Sequence, residues 1–260
     1  MRTFFRVSTL SLLASFLLWG CGGGGSGDSV SEEGVRVCSA GTFEPSYANL
    51  TELHRFRAMP LRVYFNNAVT YADDTNLNDI AQQGFDEWTE ATGGVVNYQV
   101  VTNPNDANVR VTTQVLPSAP TDGEELGDTT FTFVGNRQIS AEVTLFAWNG
   151  MTRDEVTAGF RSTAAHEWGH TLGIVSHSNV RGDLMYPSKD TRTDIHVGTR
   201  DLNTIKTAYC TDFGRSRAVC VPSDPSAKVE RKTVSCRSSR VVGGGVPSAN
   251  ARRSARGDKP

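Results

Sequence analysis

The feature that most constrains this chain is the run His166-Glu167-Trp168-Gly169-His170-Thr171-Leu172-Gly173-Ile174-Val175-Ser176-His177, followed eight residues later by Met185. Residues four apart on a helix share a face, so His166 and His170 present both imidazoles to one point. The fold must therefore carry an unbroken helix through these positions. It must then turn sharply at Gly173 so that His177 can return as a third nitrogen donor. Three protein ligands with one open position describe a catalytic zinc site, whereas a structural zinc is closed by four. Glu167 lies beside the first ligand, where it can take a proton from water.

Around this run, strand and helix signals alternate. Leu61-Arg62-Val63-Tyr64-Phe65 has the period of a strand. Leu77, Ile80, Ala81, Phe85 and Trp88 recur at helical spacing, and Gly93-Gly94 stops that helix. Residues 95–101 and 107–115 are rich in β-branched side chains and read as strands. Two more strands are expected over 129–133 and 142–146, turned by Gly135-Asn136. The motif helix opens with a capping box, Thr152 to Glu155, and Val156, Phe160, Ala164, Trp168 and Leu172 continue its buried stripe. A last helix is expected over 199–209. This order predicts an α+β domain, a sheet packed on two helices above a mostly coiled lower half. Its span, 56–213, is long enough for a real core.

The N-terminus reads as an export signal over 1–20. Arg2 and Arg6 precede a mostly apolar run that is too short for a membrane span. Leu18-Trp19-Gly20-Cys21 resembles the lipobox of bacterial lipoproteins, although Trp19 is bulkier than the usual residue at its position. The expectation is a lipidated Cys21 followed by a flexible tether over 21–55, rich in Gly, Ser and acidic residues. Each buried methylene contributes about 0.8 kcal/mol, so several acyl chains on one cysteine anchor firmly. The chain would then be exported and held on a bacterial membrane, at the outer membrane or cell surface if the host has two. Ordinary cleavage near Gly20, with Cys21 a spare thiol, is the plainer alternative.

Cys38, Cys210, Cys220 and Cys236 remain. An even count in an exported protein suggests two disulfides, with three pairings open. The net charge of -2 hides an asymmetry: residues 214–260 carry 11 Lys and Arg against 3 Asp and Glu. This segment shows no long apolar period and is expected to be a disordered basic tail. Such a tail can touch anionic surfaces, but a solvated tail is the simpler reading, and no specific nucleic-acid partner is expected.

Together, the histidines, Glu167, Gly173 and Leu184-Met185-Tyr186-Pro187 resemble the metzincin zinc peptidases, and within them the matrixin-like branch. The resemblance runs from about Met59 to Asp212 and includes Phe85 and Trp88 on the first helix. It implies a metzincin-like zincin domain with a twisted, mostly parallel five-stranded sheet, two main helices and a C-terminal helix after the Met-turn. It implies a zinc endopeptidase of extracellular or periplasmic proteins, monomeric, with polypeptide substrates. His166, His170 and His177 would hold the zinc, and Glu167 would move the proton from water to the leaving amine. Met185 would form a hydrophobic floor, and Tyr186 and Pro187 would line the pocket for the residue after the cut. The strand near 129–133 would pair with an extended peptide by strand addition. Many matrixins draw histidines for a second, structural zinc from the central loop. No histidine lies between His54 and His166, so one zinc is implied. Cys38 could also ligate zinc in a latent form, as a pro-segment cysteine does in related enzymes. Its surroundings, Arg36 to Gly41, match that switch poorly, so a disulfide is preferred.

One departure matters. Three residues, Ile174-Val175-Ser176, separate Gly173 from the third histidine, where the family pattern has two. Either the turn bulges or Ser176 replaces the ligand. A hydroxyl is a poor zinc ligand beside imidazole, and the eight-residue step to Met185 favours His177. His54 and His196 read as ordinary surface residues. The acidic loop Asp122, Glu124, Glu125 and Asp128 makes calcium a second candidate ion, against a merely solvated loop. Arg181-Gly182-Asp183 and Arg256-Gly257-Asp258 spell an adhesion tripeptide twice. Three-letter matches of this kind are weak signals; the basic tail, the tether and the irregular third-histidine spacing motivate the alternative function, a membrane-anchored binding or adhesion lipoprotein on a metzincin scaffold with little activity.

Overall fold

The computed structural model describes residues 36–38, 46–48, 52–71, 73–209, 212, 218–220 and 228–239. The export signal, Cys21, most of the tether, Cys210, the second Arg-Gly-Asp and residues 240–260 lie outside the described residues. Among the described residues, no helix is long and apolar enough to cross a membrane.

The elements are β1 (Arg36–Cys38), β2 (Leu61–Phe65), α1 (Leu77–Ala91), β3 (Tyr98–Val100), β4 (Val109–Leu116), β5 (Glu125–Val134) and β6 (Arg137–Trp148), then α2 (Arg161–Thr171), β7 (Ser188–Lys189), α3 (Thr199–Ala208), β8 (Ala218–Cys220) and β9 (Val229–Ser238). One sheet has the order β3-β2-β4-β6-β5-β9-β7, and β1 pairs with β8 separately. The expected five strands are its first five. β2 runs parallel to β3 and to β4, and β4 runs parallel to β6. β5 returns antiparallel to β6 through the two residues Gly135-Asn136.

Two strands were not expected. β9 pairs antiparallel with the outer edge of β5, and β7 pairs parallel with β9. β9 lies inside the segment read as a disordered tail, and that reading is corrected here. Glu230, Arg231, Lys232 and Thr233 are exposed, and only the last part of the strand turns residues inward. With so little apolar alternation, its order comes from the open main-chain edge of β5, which leaves no mark on side-chain pattern.

Below the sheet, α1 lies against α2. Asn76 caps α1, its side chain accepting from Asn78 N at 3.0 Å. The helix buries Leu77, Ile80, Ala81, Phe85 and Trp88. Phe85 stacks on Trp168 of α2 with ring centroids 4.2 Å apart, and Trp88 Nε1 donates to Ala165 O at 2.8 Å. This contact fixes the rotation of α2 about its axis, and so the direction in which its histidines point.

Candidate metal centre

The motif helix starts as expected. Thr152 N donates to Glu155 Oε2 at 2.8 Å and Glu155 N donates to Thr152 Oγ1 at 3.3 Å, the two halves of a capping box. A π-type stretch, Glu155–Phe160, leads directly into α2. Every residue of α2 is buried, polar ones included. Most of its buried polar groups find hydrogen-bond partners, and Trp168 Nε1 and Thr171 Oγ1 are the exceptions among the described residues.

The two ring nitrogens of His166 and His170 have separate tasks. His166 Nδ1 bonds Leu184 O at 2.7 Å, and His170 Nδ1 bonds Ile174 O at 2.6 Å. Carbonyls only accept, so both Nδ1 atoms carry protons and both Nε2 lone pairs are free. His170 Nε2 lies 3.1 Å from His166 Nε2 and 3.2 Å from His177 Nε2. A tetrahedral zinc with Zn–N bonds of roughly 2.0–2.1 Å has ligand–ligand edges of roughly 3.3–3.4 Å. The residues present fit such an ion. Burial pushes all three imidazoles below their usual pKa, His170 to about 3, so they are neutral as ligation requires.

The extra residue before His177 is absorbed locally. Gly173 has φ 111°, and a side chain there would collide with the carbonyl of His54. His54 N donates to Gly173 O at 2.9 Å, and Ile174 forms a bridge with Leu53. The chain after the helix thus runs extended against 52–54 before His177 turns in. Ser176 Oγ is buried without a hydrogen bond and belongs to neither group of side chains that can hold a metal among the described residues. His177 is the third member of one of those groups, with His166 and His170. His54 itself corrects the expectation of a surface residue: it is buried, its ring 4.3 Å from that of Phe133, and burial lowers its pKa to about 4. His196 is at the surface, within reach of Glu87 and Asp194.

Glu167 is fully buried beside the histidines. Thr129 Oγ1 donates to its Oε2 at 2.7 Å and Cys236 N to its Oε1 at 3.3 Å. Burial raises its pKa to about 8 despite these donors.

Met185 is fully buried under the helix, where a side chain at Gly169 would strike its sulfur. Asp201, fully buried at the start of α3, holds this turn. Its carboxylate accepts from Leu184 N at 3.2 Å, Met185 N at 3.3 Å, Gly198 N at 2.9 Å and Tyr47 OH at 2.8 Å. Since Leu184 O in turn orients His166, Asp201 supports a ligand without touching it. Tyr186 and Pro187 follow the turn and are partly exposed.

Sequence reasoning passed over Thr129, Asp201, Cys236 and Lys189. Lys189 is fully buried; its Nζ donates to Ser162 Oγ at 2.8 Å, and burial lowers its pKa to about 8. Nothing local marks these residues, because each acts across the fold. Asp201 after Gly198 has the look of an ordinary helix start.

Cys236 is a free, buried thiol, so the expected disulfide does not form at this residue. Burial pushes it up to about 12. The carboxylates of the acidic loop do not form a metal-holding group among the described residues. Asp183 of the first Arg-Gly-Asp accepts from Ser178 Oγ and, at 2.8 Å, from Arg200 Nε, so it is tied inward and not offered to a partner.

A mixed sheet on two helices, with a helix-borne histidine pair, a third histidine beyond a glycine turn and a buried methionine turn, defines a metzincin-type domain. The family model described as Matrixin (Peptidase_M10) matches residues 61–210, and the chain belongs to that family. It is also 28% identical over 179 residues to Metalloendoproteinase 1 of Glycine max, a match that covers 63% of this chain and 57% of that protein. The chain thus spans little more than half the length of that curated relative. Members of this family are zinc-dependent peptidases that act on polypeptides.

Proposed function

We propose that this chain is a zinc endopeptidase that hydrolyses peptide bonds of extracellular or periplasmic proteins, held at a membrane by lipid on Cys21. The convergence of three imidazole nitrogens next to the buried Glu167 carboxyl carries the reading. When bound, one zinc ion supplies a Lewis acid that polarises a carbonyl and acidifies water. His166, His170 and His177 hold it through Nε2, and their Nδ1–H bonds keep the rings from rotating. Glu167 takes the proton of the attacking water and passes it to the leaving amine. Thr129 Oγ1 aims that carboxylate. Tyr186 and Pro187 flank the residue after the cut.

The test is direct. Zinc-loaded full chain should cleave unfolded proteins and a peptide library, and a chelator should stop it. Glu167→Ala should abolish turnover while one zinc per chain stays bound; a variant that cleaves at the parent's rate would overturn the role given to Glu167. Cys21→Ser should move the protein from the membrane fraction to the soluble one with its activity intact.

A binding role with little activity is the second reading. It draws on β9, which lies across the site. A zinc-loaded chain with that strand displaced and no cleavage at any pH would favour it.

A further inference from the structure

A peptidase site must admit an extended chain, yet His166, Glu167 and His170 have no exposed surface. What covers them is β9. It pairs antiparallel with β5 from Glu125↔Arg237 to Val134↔Val229, along the edge expected to receive a peptide by strand addition. Its other side meets the segment that follows the methionine turn: Arg237 N donates to Pro187 O at 2.9 Å, and Arg237 and Ser238 pair parallel with Ser188 and Lys189. One decapeptide thus spans both walls of the cleft in extended form.

The strand also reaches the reacting groups. Cys236 stands opposite Gly127. A side chain at Gly127 would come within 2.9 Å of Glu167 Cγ, so glycine there lets Glu167 lie against the strand pair. Cys236 N occupies Glu167 Oε1, and its thiol, His166 and Glu167 bring donor atoms within 4.8 Å of one another. The backbone of Ser235 lies beside the His177 ring.

From this geometry we infer that β9 is a built-in occupant of the substrate cleft, a segment of the chain that closes the peptidase site until it is displaced. The inference rests on the peptidase reading and concerns the regulation of the same site.

The strand is built to be displaced. Residues 229–233 are exposed, and only Cys236 and Ser238 are fully inward, with Val234 and Ser235 half-buried. The ion pair of Arg231 with Glu142, 2.9 Å and exposed on both sides, holds little. Main-chain bonds do most of the holding, and any extended peptide can make the same bonds. Release would uncover Glu167, His177 and the β5 edge together, without moving α2 or the turn at Met185.

A reversible lock on the full chain tests this. Thr130 and Thr233 stand opposite each other with Oγ atoms 2.7 Å apart, away from the metal ligands. The double variant Thr130→Cys, Thr233→Cys should form a disulfide that pins β9. Two readouts are taken on zinc-loaded protein, oxidised and then reduced with a phosphine, with the parent under the same reductant as control. These are cleavage of an unfolded protein and alkylation of Cys236 resolved by mass spectrometry. Both should fall at least about tenfold in the oxidised form and recover on reduction. An oxidised form that cleaves, or alkylates at Cys236, as fast as the reduced one overturns the inference. If neither form, nor the opened variant Val234→Pro, cleaves anything while Cys236 alkylation still follows the lock, the closure stands and the peptidase reading falls. As a second variant, Val234→Pro removes a ladder donor opposite Thr129 and should raise both readouts above the parent. No change in either would count against β9 as the closing segment.

Discussion

Helices α1 and α2 lie side by side and obey different rules. In α1 the apolar residues fall on one stripe and the rest face water, so the sequence period reports directly which side packs. In α2 every position is buried, and the three polar residues of the site are held by partners beyond the helix: Leu184 and Ile174 for the histidines, Thr129 and Cys236 for Glu167. The difference teaches how to read each. An amphipathic helix announces its packing. A helix that buries His166, Glu167 and His170 beside its apolar residues announces chemistry, because desolvated groups of that kind would not persist without a compensating role.

If this contrast is right, substitutions in α1 should act on stability and those around α2 on the site. The largest effect expected is in α1. Trp88→Ala empties a fully buried position and removes the indole's hydrogen bond to Ala165 O, and should lower unfolding stability by about 3–5 kcal/mol in denaturant titration. A loss under about 1 kcal/mol would show that α1 is not what seats α2.

Next comes His177→Ala, which should weaken zinc binding by more than about 100-fold in competition with a chromogenic chelator and leave the metal-free fold in place. Ser176→Ala should change affinity only slightly. The opposite ranking would undo the ligand assignment at the irregular spacing.

A smaller effect sharpens the boundary between the helix and its support. His54 titrates near 4 in the fold and near 6.5 when unfolded. Between those values the unfolded chain holds a proton that the folded one does not. Stability is therefore complete above about 6.5 and is lost as pH falls toward 4, by on the order of 2–3 kcal/mol. His54→Phe keeps a ring beside Phe131 and Phe133 and should flatten that part of the melting-temperature profile relative to the parent. Identical profiles would mean that His54 is not the group responsible.

The smallest is Asn76→Ala, which deletes the α1 cap and should cost about 1 kcal/mol with zinc affinity and cleavage unchanged. A change in zinc affinity here would erase the division between the two helices.

Much of the architecture was legible. β2 matched its expected span, α1 extended a few residues beyond its apolar stripe, and the Gly135-Asn136 hairpin stood where its turn residues sit. The pairing of His166 with His170 was legible too, because four residues on a helix is a local distance. The buried His54, the free Cys236 and the ordered β9 were not. Nothing near His54 in sequence shows that Phe131 and Phe133 will close over it.

What the sequence determined by itself, then, is what short-range geometry controls: the i,i+4 pairing of His166 and His170, the glycine turn after them, the amphipathic side of α1 and the family to which these belong. Only the tertiary structure shows how the extra residue after Gly173 is accommodated, with 173–175 running against 52–54 and His177 brought beside the other two histidines. It alone tied Asp201 to the turn at Met185, and it alone laid β9 along β5. Those choices join groups 16, 69 or 103 positions apart, as with Asp201 to Met185, Cys236 to Glu167 and Thr233 to Thr130. Backbone hydrogen bonds at a sheet edge accept nearly any side chain, so their partner is chosen by the assembled fold and leaves no period to read.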